Sequence, residues 1–196
     1  MKALQTKKAS RPFVLRFLLC AALLFLAIAA FVGCRWNHIK LHYKLKDFSE
    51  TLEQETLDGL TLTIYYVDPS TEAQYPISVS RLLEWDTVQA IVVDSEDLKE
   101  HIDSLKRLNA DNLAPVRYKS YLDARMCYIF ETDSKGKILE VAFGGFNESP
   151  TVFVNGIEVA YNDVFRAIIE PFVTEEVMAD MEYIYRGEIK PGPPLE

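Results

Sequence analysis

His38 and His42 stand four residues apart, a spacing that puts two imidazoles on one face of a helix. Two ligands are too few for a closed metal site. The Glu that directly follows the first His of a zinc-protease helix is replaced here by Ile39. Arg35, Lys40, Lys44 and Lys46 surround the pair, with Trp36 and Tyr43, so the segment reads better as a basic and aromatic belt at a membrane surface. His101, next to Glu100 and near Asp97, could act as a general base. No nucleophile accompanies it in sequence, and a half-buried surface histidine is the preferred reading. Asp68, Asp94, Asp97 and Asp123 are the carboxylates available to a hydrolase or a metal-dependent enzyme. Nothing pairs them at a diagnostic spacing, and acidic residues are the ordinary cover of a folded domain.

Cys127, within "ARMCYIFE", has only Arg125 nearby to favour a thiolate, and it reads as a small buried hydrophobe. Gly144-Gly145 is followed by neither a helix start nor a Lys-Ser/Thr pair, so it is a strand connection rather than an anion cradle. Residue types and spacing therefore name no catalytic residue, no cofactor site and no metal ligand.

The elements that would position these residues follow from periodicity. "LTLTIYYV" (60–67) is a strand, rich in β-branched and aromatic residues. "DPSTEAQYP" is a loop, and "VSRLLEW" is a short helical turn. "VQAIVVD" (88–94) is apolar on both faces, which predicts a central strand. Ser95 is the expected cap of a helix reaching Asn109. Its stripe is Leu98, Ile102, Leu105 and Leu108, with Glu96 and Asp97 at the positive end and Lys106 and Arg107 at the other.

A meander follows. "ARMCYIFE" and "KILEVAFG" flank a turn at Gly136, and "TVFV" and "IEVA" flank Asn155-Gly156, a strong type I′ hairpin signal. Asn162 is expected to cap a helix bearing Phe165, Ile168, Ile169 and Phe172, with Pro171 at its end or at a kink. Thr174 is expected to cap another, with Val177, Met181 and Ile184 inward and Gly187 as its stop. The fold class is α+β: one domain with a mostly antiparallel sheet of five or six strands and packed helices, preceded by a transmembrane or signal-anchor helix.

That first helix rests on eighteen uncharged residues, "FLLCAALLFLAIAAFVGC", between Arg16 and Arg35. As a helix they reach about 27 Å, close to the hydrocarbon thickness. Residues 1–34 hold five of the 21 basic residues and none of the 29 acidic ones, so the remainder carries a formal −13. The basic flank favours a cytoplasmic N-terminus and an extracytoplasmic domain. The acidic domain is a poor partner for nucleic acid, whose binding rests on Lys and Arg displacing counterions. The expected division is a basic segment at 1–16, an anchor at 17–34, a juxtamembrane connector at 35–58, the domain at 59–187 and a disordered tail at 188–196. Cys20 and Cys34 belong to the anchor, which leaves Cys127 alone in the domain with no intramolecular disulfide to form.

Val32, Gly33 and Cys34 resemble the end of a bacterial lipoprotein signal, in which the Cys is lipidated and becomes the mature N-terminus. Phe31 departs from the usual Leu, and "RWNHIKLHYKLKDF" is unlike the small polar tether that follows such a Cys. An uncleaved anchor is the preferred reading, lipidation at Cys34 the second and a released protein the third.

The order of strand, helix, strand, "LKEHIDSLKRL" helix, "YIFE" hairpin, "VFVNGIEV" hairpin and "VFRAIIEPF" helix resembles a family of small anchored or lipoprotein domains of Gram-positive bacteria, over residues 57–175. The resemblance implies no activity and no functional residues. The expected function is that of a membrane-anchored, non-catalytic binding or accessory module, with an unidentified protein or cell-envelope ligand as partner and no cofactor. The alternative is an extracytoplasmic carboxylate-dependent enzyme.

Overall fold

The computed structural model describes residues 11–54, 57, 59–68, 71, 73–116, 120–144 and 151–179, without the side chains at 11–15, 17, 19, 23 and 26–34. The chain divides into two compact units, 1–37 and 38–196. Helix α1 runs Arg11–Leu52. The expected membrane span is helical in backbone, but most of its side chains, Cys34 included, lie outside the described residues. Leu18, Leu24 and Phe25 are exposed. Among the described residues no helix is long and apolar enough to cross a membrane.

Among the described residues the second unit is built on six strands: β1 (Leu60–Tyr66), β2 (Gln89–Val93), β3 (Ala124–Thr132), β4 (Gly136–Gly144), β5 (Thr151–Val154) and β6 (Ile157–Val159). All ladders are antiparallel, in the order β2-β1-β3-β4-β5-β6. The α+β class and the mostly antiparallel sheet are as the sequence implies. Short helices connect or follow the strands: α2 (Val79–Leu83), α3 (Ser95–Glu100), α4 (Ile102–Lys106) and α5 (Val164–Ile169). Gly136 takes φ 66°, and Asn155 and Gly156 take φ 47° and 76°, as a type I′ turn requires.

Three expectations are corrected. First, residues 35–58 are not a mere connector. Leu41, Leu45, Phe48 and Leu52 line one face of α1 and are buried in the main core, with the Phe48 ring 4.9 Å from that of Phe130. Their spacing of four, three and four residues is the helical stripe that the acidic residues around Asp47 disguised.

Second, β2 is not central. Among the described residues it pairs only with β1, and Val92 is 67% exposed. The successive connections from β3 to β6 fill the sheet on the other side of β1 and leave β2 at the rim. Third, Asp94 rather than Ser95 caps the following helix. Its Oδ1 accepts from Glu96 N–H (2.9 Å) and Asp97 N–H (3.2 Å), and the expected single helix breaks at His101 into α3 and α4.

One face of the sheet carries Leu62, Ile64, Tyr128, Phe130, Val141 and Phe143, covered by buried side chains of α1, α3, α4 and α5. The other carries a smaller cluster, in which Ala124, Cys127 and Ala142 leave room for Ile77 and for Leu82 of α2. Asn162 Oδ1 accepts from Val164 N–H (3.0 Å) at the start of α5, and Pro171 lies in a 3-10 turn, Glu170–Phe172. Thr174 Oγ1 accepts from Val177 N–H (3.3 Å) as a cap. Met181, Ile184, Gly187, the tail 188–196 and Gly145 lie outside the described residues.

Candidate functional site

The carboxylates named from sequence do not converge. Asp94 sits one residue past the Leu62–Val93 pair, and Asp97 is in the first turn of α3. Asp68 lies beyond the opposite end of β1, where Val67 N–H donates to Arg125 O (3.1 Å), and Asp123 precedes that same end of β3. The length of β1 separates the two groups by roughly 20 Å.

Two of the four, Asp94 and Asp123, have a role in the fold. Asp94 caps α3. Asp123 accepts from Arg125 through Oδ2 (2.9 Å from Nη2, 3.3 Å from Nε) and from Ile77 N–H through Oδ1 (2.8 Å). His101 is half-buried at the α3–α4 break, with its ring edge-on to Phe172 at 5.1 Å. His38 and His42 are both exposed on α1. Among the described residues no three His, Cys, Asp or Glu side chains gather to hold a metal ion.

Cys127 is buried, as its apolar neighbours imply. Burial pushes its thiol up to about 12, with the Glu140 carboxylate adding to the shift and Lys137 opposing it. A thiol so held is a poor nucleophile.

Two buried charges escaped the sequence reading. Arg125 is 5% exposed and, besides Asp123, donates to Thr71 O, fastening the loop after β1 to the sheet. Glu158 is 6% exposed and accepts from Ser120 N–H (2.6 Å). The available signal was a charge inside an otherwise apolar strand, which survives burial only when paired.

The feature best suited to binding is the pair of sheet edges, which differ. At β6 the edge is covered. Pro115 bridges Val159, Val116 N–H donates to Glu158 O (2.9 Å), and Ala160 N–H donates to Ala114 O (2.8 Å). At β2 no described segment pairs beyond the strand.

The alternation of an antiparallel ladder says which groups are left there. Val67 turns its N–H to β3, so the odd residues of β1 serve β3 and the even ones serve β2, through Leu62–Val93, Ile64–Ile91 and Tyr66–Gln89. The backbone N–H and C=O of Ala90 and Val92 therefore point outward. Both side chains are exposed as well. The register with β1 is unbroken, and the strand holds no Pro, Gly or Lys, the usual devices that blunt an edge.

No protein-family model matches the chain, and comparison with curated proteins and with solved structures finds no match either.

Proposed function

We propose that this chain is a membrane-anchored, extracytoplasmic, non-catalytic binding or accessory module that presents the β2 edge of its sheet to a partner. The observation that carries the reading is the asymmetry of the two edges: β6 is sealed by residues 114–116, while among the described residues no segment pairs with the outward N–H and C=O groups of Ala90 and of the exposed Val92. An added strand satisfies such groups directly. A binding role is also supported by the structural use of Asp94 and Asp123, two of the four carboxylates named for an enzyme, and by the separation of the four into two groups at opposite ends of β1.

The anchor is supported by the eighteen uncharged residues between Arg16 and Arg35, which suffice to span the hydrocarbon. The basic N-terminal flank supports the outward placement of the domain. The resemblance of the element order read from the sequence to small anchored domains of Gram-positive bacteria is in keeping with both.

Intact-mass measurement and protease shaving of spheroplasts test the placement. The expected result is an unprocessed N-terminus in the membrane fraction and a domain that external protease removes. A mass beginning at a diacylated Cys34 replaces the helix by a lipid anchor. A domain protected from external protease refutes the placement.

A further inference from the structure

The charge around β2 says what kind of strand would dock there. Between Arg81 and Asp103 the chain carries seven acidic residues and two basic ones. Asp86 precedes β2, and Asp94, Glu96 and Asp97 follow it, so the open edge lies between acidic groups at both ends. Self-pairing is disfavoured by this arrangement. An antiparallel β2–β2 contact that sets Ala90 against Val92 brings Asp86 toward Glu96 at each end, and like charges facing across a ladder are destabilising.

We infer that the β2 edge, with the outward backbone of Ala90 and Val92 framed by Asp86 and Asp94–Asp97, receives an extended segment of another protein that has a short β-branched or apolar centre and Lys or Arg on both flanks. The inference rests on the edge-docking reading above and adds the chemistry of the partner. The segment pairs with the outward N–H and C=O groups of Ala90 and Val92, its alternate side chains cover Val92, and its basic flanks meet the acidic ends. Backbone pairing supplies affinity, and the charges supply orientation and discrimination.

The test uses the full chain in uncharged detergent micelles and three fluorescent nine-residue peptides: Lys-Lys-Val-Thr-Val-Thr-Val-Lys-Lys, the same peptide with Gln in place of Lys, and the same with Glu. Anisotropy reads binding, and hydrogen exchange reads protection at 88–94. The expected order is the Lys peptide tightest, Gln weaker and Glu undetectable, with the Lys preference shrinking as salt rises.

Val92→Pro removes only an outward N–H and leaves the β1 ladder intact, since proline is tolerated on an open edge. It should weaken the Lys peptide by about tenfold or more, through the lost bond and the ring blocking the edge. As a check that leaves the protein untouched, N-methylation of alternate peptide amides should abolish binding in one register and spare it in the other.

Equal binding of the Lys and Gln peptides, with protection at 88–94, overturns the charge inference and leaves edge docking standing. Binding of the Lys peptide that neither Val92→Pro nor either methylation register reduces is mere electrostatic adsorption, and it overturns the inference. No binding by any peptide overturns both the inference and the edge-docking reading.

Discussion

Lys44 and Asn155, 111 residues apart, hold each other by two reciprocal hydrogen bonds: Lys44 Nζ donates to Asn155 O (2.7 Å), and Asn155 Nδ2 donates to Lys44 O (2.9 Å). Asn155 Oδ1 also accepts from Glu140 N–H (2.8 Å). The residue that supplies the left-handed turn of the β5–β6 hairpin thus also clamps that hairpin to α1 and to β4. Asn155→Gly keeps the turn conformation and removes the side-chain bonds. It should destabilise the domain by about 1–3 kcal/mol in thermal or urea melts. A melt identical to wild type would leave the side chain with no role beyond the turn.

Gly156→Val separates conformation from packing, because a Cβ at Gly156 meets nothing within 4 Å. Any loss comes from forcing a β-branched residue to φ 76°, about 1–3 kcal/mol. Cys127→Ala removes one buried sulfur and should be the milder change. A larger loss for Cys127→Ala reverses this ranking.

Helix α1 sets the boundary of the folding unit. A chain starting at His38 should fold, whereas one starting at Leu57 loses Leu41, Leu45, Phe48 and Leu52 from the core and should not give a cooperative melt. In the full chain Phe48→Ala should destabilise by about 3–5 kcal/mol, the usual range for emptying a buried aromatic site. A cooperative melt of the Leu57 chain would show that the sheet holds without the helix.

Arg125 and Asp123 form a mostly buried pair on the second face of the sheet. Arg125→Ala strands the carboxylate and frees the loop at Thr71, and a loss of about 3–5 kcal/mol is expected. The double variant Arg125→Met/Asp123→Asn leaves no lone charge and should recover part of that loss. Chemical denaturation of both variants decides this, and an equal or greater loss in the double variant counts against a charge origin.

Cys127 gives a pH signature. Its thiol is raised from an ordinary 9.0 to about 12 in the folded state, so above pH 9 the unfolded chain ionises first and stability falls until the folded thiol ionises too. The slope expected from this group is about 1.4 kcal/mol per pH unit. Cys127→Ala should flatten the alkaline limb, as read from urea midpoints at pH 8 to 11. Peptide mapping after brief alkylation should find Cys127 unmodified in the native chain and modified in urea. Rapid native labelling would contradict the burial.

The six strands and the turns at Gly136 and Asn155-Gly156 were legible in the residue order, because strand period and positive φ are local demands that particular residue types meet. The burial of Cys127 was legible for the same reason, from the apolar run around it. The sequence alone also established the charge division between residues 1–34 and the acidic remainder.

Only the tertiary structure decided which strand stands at the edge. "VQAIVV" looks equally apolar whether its neighbours lie on one side or two, and strand order depends on where later hairpins pack. The same holds for Leu41, Leu45, Phe48 and Leu52, a stripe whose partner, the Phe130 face of the sheet, lies nearly eighty residues beyond Leu52 and leaves no local trace. The joining of Lys44 to Asn155 and the burial of Arg125 and Glu158 belong with these. Each is stable only because a distant segment supplies the matching donor or acceptor, and that pairing exists only once the sheet has closed.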